Sequence, residues 1–338
     1  MKIIVISGAH SKIGKTTLAC QIRELIPGSK FIKIGSHSKK EEKDDTIFNI
    51  NTPFEQIANQ YTKVQYLIIE SNRILYEITP ECTIYLPGTP AKPSGKFAEN
   101  RADIKRGERI SQDTIEKISR KLDLEISIVK KIIWLSGARP VSTTAIILAG
   151  GMSSRMKTEK AGLVINGKNT VNHLYHLLSP HFDDIMVSVS LNKIETLNSI
   201  RVVEDIEKGY GSPLMGIYSS LKNSRSDKNF VIACDIPQIN FTLLFKMLSL
   251  SEDYDIVVPS FSSGYYEPLF AVYSSVIITR IEELIALNIK TVREIYSKCN
   301  TYIIKEKDKS WYYNLNTPED YKNYINFNRE RFQGSNYG

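Results

Sequence analysis

A run of apolar residues in the middle of the chain ends at two glycines and is followed by two cations. Residues 145–149 are all apolar, which predicts a buried strand. The run stops at Gly150 and Gly151, where the backbone can turn sharply and approach a ligand closely. Arg155 and Lys160 follow within ten residues, and two cations beside such a turn are suited to hold a triphosphate. We therefore predict that this loop binds phosphate.

Side chains suited to the same chemistry stand at predicted element ends later in the chain. A predicted strand over 230–234 ends at Asp235, and the carboxyl edge of a parallel sheet is where such sheets bind ligands. Its carboxylate is the kind of ligand that Mg²⁺ prefers, although a helix cap is an alternative role. Asn314 and Asn316 come just before a predicted helix that has Pro318 in its first turn. The order of these fragments along the chain favours a single site.

The segment after the first predicted strand has the spacing of a phosphate-binding P-loop. Gly14, Lys15 and Thr16 open a predicted helix, so backbone amides would surround a β-phosphate. Lys15 would reach the β and γ oxygens, and Thr16 would face Mg²⁺. The strict pattern has a glycine where this chain has Ala9, with Gly8 just before it. A loop that binds no nucleotide is the alternative.

Strands alternate with helices in two blocks, which predicts two three-layer α/β domains with parallel sheets. We expect a P-loop NTPase-like domain over residues 1–110, a helical segment and linker over 111–142, and a second α/β domain over 143–338. Residues 87–109 hold three prolines and three glycines and are predicted to form a long loop. Glu70 ends an apolar strand, either as a Walker B-type carboxylate or as a solvated strand end.

The composition and net charge of the chain limit the kinds of partner that we expect it to bind. The 338 residues carry a net charge of +7, which suits anionic partners such as nucleotides or a phosphorylated cofactor. We expect no nucleic acid, because no recognition motif accompanies the charge. We also expect no membrane partner and a cytoplasmic location, since apolar runs are strand-sized and the four cysteines are scattered without CxxC pairing. The polar tail over 328–338 is predicted to fray.

The mid-chain motif resembles the signature of nucleotidyltransferases, and it is most similar to that of the molybdenum cofactor guanylyltransferases. The segments that carry the resemblance follow the family's order: 148–160, 213–217, 234–237, 267–273 and 314–320. The chain departs from the family at Lys157, where glycine is common, and at Ser212, which replaces the glycine of a Gly-Pro-Leu segment. The resemblance spans about residues 143–326 and implies a Rossmann-like nucleotidyltransferase domain.

The resemblance also implies a reaction and a set of site residues. GMP would pass from GTP to molybdopterin or Mo-molybdopterin, giving molybdopterin guanine dinucleotide and pyrophosphate, with Mg²⁺ held by Asp235. Arg155, Lys160 and Asp235 would be catalytic. Asn314 and Asn316 would lie on the acceptor or metal side. The implied nucleotide contacts are Leu148, Ala149, Gly150, Gly151, Lys160, Asn192, Asp205 and Asp235.

The N-terminal block resembles the molybdopterin-guanine dinucleotide biosynthesis adapter proteins, which are small P-loop GTP-binding proteins. The P-loop and the stretch over 70–72 carry this resemblance. It implies an adapter–transferase fusion, with molybdoenzyme apoproteins and other cofactor-biosynthesis proteins as partners.

Two alternatives to the transfer of GMP to molybdopterin stay open: transfer of cytidylate to the same cofactor, or transfer of a nucleotide to a sugar or alcohol phosphate. A third is a GTP-binding adapter that delivers cofactor and has an inactive transferase half.

Overall fold

The computed structural model describes residues 1–35, 46–149, 163–165, 167–190, 200–262 and 265–333. The chain divides into two compact units, Met1–Val141 and Ser142–Gly338. Both are mixed α/β structures. None of the helices in the described ranges is long and apolar enough to cross a membrane.

The N-terminal unit is built on a parallel sheet. Its strands are β1 (Lys2–Gly8), β2 (Lys30–Gly35), β3 (Thr46–Asn49), β4 (Tyr66–Glu70), β5 (Cys82–Leu86) and β6 (Ile104–Lys105). Its helices are α1 (Lys15–Leu25), α2 (Phe54–Ala58), α3 (Pro93–Asn100), α4 (Gln112–Leu122) and α5 (Ile126–Ser136). The strands run in the order β3-β2-β4-β1-β5-β6, and each neighbouring pair is parallel.

Helices cover this sheet on both faces. Alternate residues of β1 point to opposite faces, so Ile4 belongs to one buried cluster and Val5 to another. The Ile4 cluster includes Leu18 of α1 and also Ile118 and Ile132 of α4 and α5. Those two helices, which the sequence groups with a linker, therefore pack into the core of the N-terminal unit.

The prediction of a long loop over residues 87–109 was wrong. Helix α3 and strand β6 lie within it. Pro93 stands in the first turn of α3, where its missing N–H costs no hydrogen bond. A Cβ on Gly95 would lie 3.2 Å from the backbone oxygen of Ala9, so glycine lets α3 approach the loop after β1. Tertiary packing thus forms a helix from a sequence with weak helical propensity.

The C-terminal unit has a larger, mixed sheet. Its strands are β7 (Thr143–Leu148), β8 (Val164–Ile165), β9 (Lys168–Asn169), β10 (Asp184–Val189), β11 (Arg201–Glu204), β12 (Lys228–Ala233), β13 (Ile256–Ser262), β14 (Tyr265–Tyr266), β15 (Phe270–Ser274) and β16 (Thr301–Lys305). Its helices are α6 (Thr170–Leu178), α7 (Pro213–Asn223), α8 (Phe241–Leu250), α9 (Ile278–Ala286) and α10 (Pro318–Gln333). The main sheet runs β11-β10-β7-β12-β15-β13-β14, with β16 beside β13.

Strands β11, β10, β7 and β12 are mutually parallel, whereas β15 runs antiparallel to β12. Every residue of β7 is buried, as expected for a strand with neighbours on both sides and helices over the sheet. Helix α10 continues to Gln333, so the prediction of fraying from residue 328 was wrong as far as that residue. Its start is fixed by Thr317 and Asp320, which exchange backbone and side-chain hydrogen bonds of 2.8 and 3.1 Å.

Candidate functional site

The carboxyl ends of the parallel strands of the C-terminal unit meet at one edge of the sheet. Leu148 ends β7, and its carbonyl accepts a hydrogen bond of 3.0 Å from the N–H of Cys234, just after β12. On the other side, the N–H of Ala149 donates to the carbonyl of Ser188 in β10 at 2.9 Å. Leu148 and Ala149 are therefore held by both neighbours, and the predicted phosphate loop begins at the next residue.

Asp205 lies at the same edge, directly after β11. Its N–H donates to the carbonyl of Val189 at 3.0 Å, and the residue is 7% exposed. Burial raises the pKa of its carboxyl group to about 6. A Cβ on Gly216 of α7 would lie 3.0 Å from Ser188 Oγ, 3.2 Å from Leu148 Cδ2 and 3.7 Å from Asp205 Oδ1. Glycine at position 216 therefore leaves room for the side chains of Leu148, Ser188 and Asp205.

Asp235 is joined to the segment that precedes α10. Its carbonyl accepts a hydrogen bond of 2.8 Å from the N–H of Leu315, so Asn314 and Asn316 flank the residue that it binds. The N–H of Asn316 donates to Asp320 Oδ2 at 3.2 Å, within the turn that starts the helix. The structure thus brings the three predicted residues Asp235, Asn314 and Asn316 to one place.

A buried glutamate and a tyrosine, to which the sequence assigned no role, complete this part of the site. The hydroxyl of Tyr312 donates to Glu267 Oε2 and accepts a hydrogen bond of 3.4 Å from Asn314 Nδ2. Burial raises the pKa of Glu267, and the nearby charge of Asp235 raises it further. The Oδ1 atom of Asn314 is buried and accepts no hydrogen bond from the residues that the structure describes. The sequence signal was the segment over 267–273, recognised only as part of a family pattern.

The oxygen atoms of this cluster suit a hard divalent cation. Asp235 and Glu267 supply carboxylates, and Asn314 supplies an amide oxygen that lacks a described partner. Across the described ranges, no three His, Cys, Asp or Glu side chains are close enough to form a metal cage. Mg²⁺ is commonly held by one or two carboxylates together with substrate phosphates and water. The donor set therefore suits a divalent cation that is held partly by substrate phosphates.

Five of the predicted residues lie outside the described residues: Gly150, Gly151, Arg155, Lys160 and Asn192. Lys157, where the chain departs from the family pattern, lies there as well. The last described residue before the predicted phosphate loop is Ala149.

A second cluster surrounds the start of α1 in the N-terminal unit. Gly14 precedes the helix with φ +91°, a left-handed conformation that favours glycine. Lys15 Nζ donates to the carbonyl of His10 at 2.7 Å, and burial lowers the pKa of this lysine. Thr16 Oγ1 donates to Glu70 Oε2 at 2.6 Å. The hydrogen bond from Thr16 therefore links the start of α1 to the end of β4, and Glu70 is bound rather than solvated.

Asn72 makes two hydrogen bonds with Gly8, at the opposite end of this loop. Its Oδ1 accepts a hydrogen bond of 2.9 Å from the N–H of Gly8, and its Nδ2 donates to the carbonyl of the same residue at 2.8 Å. This paired contact holds the last residue of β1 against the segment that follows β4. The loop over 9–14 is consequently anchored at both of its ends.

Comparison with known proteins identifies relatives of the C-terminal unit. The family described as "MobA-like NTP transferase domain" matches residues 145–301. A probable molybdenum cofactor guanylyltransferase from Pelotomaculum thermopropionicum is 33% identical over 187 residues, which are 53% of this chain and 90% of that protein. The molybdenum cofactor guanylyltransferase of Vibrio parahaemolyticus is 29% identical over 185 residues, which are 54% and 94% of the two chains.

Among solved structures, molybdopterin-guanine dinucleotide biosynthesis protein A from Archaeoglobus fulgidus matches with a TM-score of 0.49 and 22% identity, over 55% of this chain and 99% of that one. The family assignment depends on the sequence matches. The Pelotomaculum protein is covered over 90% of its length at 33% identity, and the family pattern spans most of the same unit. This chain belongs to the family of MobA-like nucleotidyltransferases.

Proposed function

We propose that the C-terminal unit transfers GMP from GTP to molybdopterin or Mo-molybdopterin, forming molybdopterin guanine dinucleotide and pyrophosphate. The relatives described above are named for guanylyl transfer to this cofactor. The observation that carries the proposal is the meeting of Leu148, Asp205 and Asp235 at the carboxyl edge of β7, β11 and β12, where the phosphate loop begins. Open α/β sheets bind their ligands at this edge.

The proposed reaction needs positioning and charge neutralisation more than proton transfer. A terminal phosphate oxygen of the acceptor attacks the α-phosphorus of GTP, a new P–O bond forms, and the bond to the β-phosphate breaks. The attacking phosphate is already ionised at neutral pH, so no general base is required. In this proposal Arg155 and Lys160 neutralise the departing pyrophosphate, and the backbone at Leu148 and Ala149 fixes where their loop starts.

Asp235 is the proposed ligand of Mg²⁺, with Glu267 and Asn314 Oδ1 as neighbouring oxygen donors. A bound Mg²⁺ would neutralise negative charge on the reacting phosphates. Tyr312 contacts both neighbours: it donates to Glu267 and accepts from Asn314. It therefore fixes the orientation of the Asn314 amide, with Nδ2 on the tyrosine and Oδ1 left for another partner.

Asp205 is the proposed selector of the base. Guanine presents a ring N–H and an exocyclic amino group side by side, and a carboxylate can accept hydrogen bonds from both. The carboxylate of Asp205 lies beside Leu148 and Gly216, on the nucleotide side of the site. Its pKa of about 6 leaves it mainly ionised at neutral pH, as this role requires.

A pyrophosphate-release assay tests the proposal. Each of the four nucleoside triphosphates is supplied with molybdopterin and Mg²⁺. We expect release with GTP and loss of most activity in Asp235→Asn and Lys160→Ala, with circular dichroism unchanged. Exposed Glu207→Gln is the matched control for a removed carboxylate and should keep full activity. Release with CTP alone would replace GMP by CMP as the transferred group, and no release with any triphosphate would refute the proposal.

We also infer that the N-terminal unit binds the phosphates of a guanine nucleotide, and that the chain joins an adapter-like unit to a transferase. The support is the left-handed Gly14, the position of Lys15 and Thr16 at the helix start, and the contact between Thr16 and Glu70. Molybdoenzyme apoproteins and other cofactor-biosynthesis proteins are the proposed partners. Calorimetric titration with GDP tests the site: Lys15→Ala should remove one binding event, and an unchanged titration would refute it.

A further inference from the structure

A lysine ammonium contacts the two groups of the N-terminal loop that would otherwise face a metal ion. Lys33 Nζ lies 3.4 Å from Glu70 Oε1 and 3.3 Å from Thr16 Oγ1. Thr16 Oγ1 in turn donates to the second carboxylate oxygen, Glu70 Oε2, at 2.6 Å. The Lys33 ammonium therefore contacts both Thr16 and Glu70, and these two side chains also contact each other.

The sheet itself places this lysine. Lys33 in β2 is the direct neighbour of Glu70 in β4, and side chains at paired positions of parallel strands point to the same face. Glu70 is 7% exposed, whereas the side chain of Lys33 is 39% exposed. A nearly buried carboxylate needs a compensating charge, and Lys33 supplies it from the open side. The contact is consequently part of the fold and differs from a chance ion pair on the surface.

The charges around the loop favour an anion over a second cation. Burial is the largest cause of the lowered pKa of Lys15, and the charges of Lys33 and Lys92 lower it further, while Glu70 raises it. Among the residues that the structure describes, three ammonium groups thus act in the neighbourhood of one carboxylate. The surplus is formally two positive charges, which a diphosphate would neutralise and a divalent cation would increase.

We propose that Lys33 is the resident cation of the N-terminal phosphate site, so that this site binds a nucleoside diphosphate without a divalent metal. The proposal rests on the proposed nucleotide binding by this unit. In the free protein the ammonium neutralises Glu70 and holds Thr16. With nucleotide bound, the same ammonium contacts a terminal phosphate oxygen, where a P-loop with a free Thr and carboxylate would hold Mg²⁺.

The test is calorimetric titration of the full chain with GDP, in EDTA and in excess Mg²⁺. GDP cannot donate GMP with release of pyrophosphate, and subtraction of the Lys15→Ala titration isolates the N-terminal event. We expect the wild-type Kd to be the same in both buffers. Lys33→Met should weaken binding in EDTA by about tenfold or more, the effect of one charged hydrogen bond. Added Mg²⁺ should restore much of that loss, since Thr16 and Glu70 are then free to hold it.

Lys92→Met is the matched control, because it removes another lysine near Lys15 but leaves the contacts of Lys33 with Glu70 and Thr16 in place. It should weaken GDP binding equally in EDTA and in Mg²⁺. Wild-type binding that requires Mg²⁺, or a Lys33→Met variant that stays independent of Mg²⁺, would overturn the role of Lys33 alone. Titrations of wild type and Lys15→Ala that coincide in both buffers would overturn the nucleotide site itself and this inference with it.

Discussion

Replacement of Asp205 by asparagine should change how the stability of the C-terminal unit depends on pH. Asp205 as a residue is 7% exposed, and burial raises the pKa of its carboxyl group from 3.8 to about 6. The folded state therefore holds its proton in a range where the unfolded state has lost it, between about pH 4 and pH 6. One pKa unit corresponds to about 1.4 kcal/mol, so a shift of about two units corresponds to roughly 3 kcal/mol.

The direction in which the free energy of unfolding changes with pH follows from proton linkage. Below about pH 4 both states are protonated and the carboxyl group costs nothing. Between about pH 4 and pH 6 the unfolded state loses a proton that the folded state keeps, so the free energy of unfolding falls as the pH rises and levels off above pH 6. Asparagine has nearly the same shape and does not ionise. We expect Asp205→Asn to equal wild type near pH 4 and to exceed it by roughly 3 kcal/mol near pH 7, because only the wild-type protein has a charge to bury.

Urea unfolding at a series of pH values, followed by tryptophan fluorescence, measures this difference. The chain has two tryptophans, so a Trp134→Phe background leaves buried Trp311 to report on the C-terminal unit. Exposed Glu207→Gln is the control, because it removes a carboxylate that is not buried. A difference between Asp205→Asn and wild type that is flat from pH 4 to 8 would show that the carboxyl group is not desolvated, and would refute the reasoning.

Three further predictions concern single residues. Gly14→Ala and Gly28→Ala should each lower the free energy of unfolding by about 1–2 kcal/mol, because both glycines have positive φ and open space at Cβ. Only Gly14→Ala should also weaken GDP binding in calorimetry. Tyr312→Phe should cost about 1.5–3 kcal/mol in urea unfolding, since buried Glu267 loses a donor. Burial raises the pKa of Cys299 to about 11, so its alkylation rate at pH 8.5, followed by mass spectrometry, should be about a hundredfold below that of a free thiol.

Elements with local signals were the ones that the sequence predicted well. Helix α1 begins at Lys15, as the P-loop spacing predicts, because Gly14 directly precedes it. Strands β15 and β16 have no such local signal. Their stability depends on pairing with β12 and β13, which are separated from them by tens of residues, and a five-residue strand leaves little signal of its own.

The residues of the two candidate sites show the same difference between local signals and long-range contacts. Asp235 could be predicted because it directly follows an apolar strand, and Lys15 because the P-loop spacing is local. The partners of these residues could not. Glu267 reaches the neighbourhood of Asp235 through the antiparallel pairing of β12 with β15, and Lys33 reaches Glu70 through the register of β2 with β4. Such contacts are set by strand order, which a single sequence does not specify.

The two clusters differ in the sign of the charge that surrounds the proposed phosphate position. In the C-terminal unit, the charge of Asp235 acts on a second carboxylate, Glu267, and the amide oxygen of Asn314 lies in the same cluster. In the N-terminal unit, three lysines act near one carboxylate. Group transfer develops charge on a leaving pyrophosphate and benefits from a mobile divalent cation, whereas binding alone needs only fixed charge. This difference supports group transfer as the proposed role of the C-terminal cluster and phosphate binding as the proposed role of the N-terminal one.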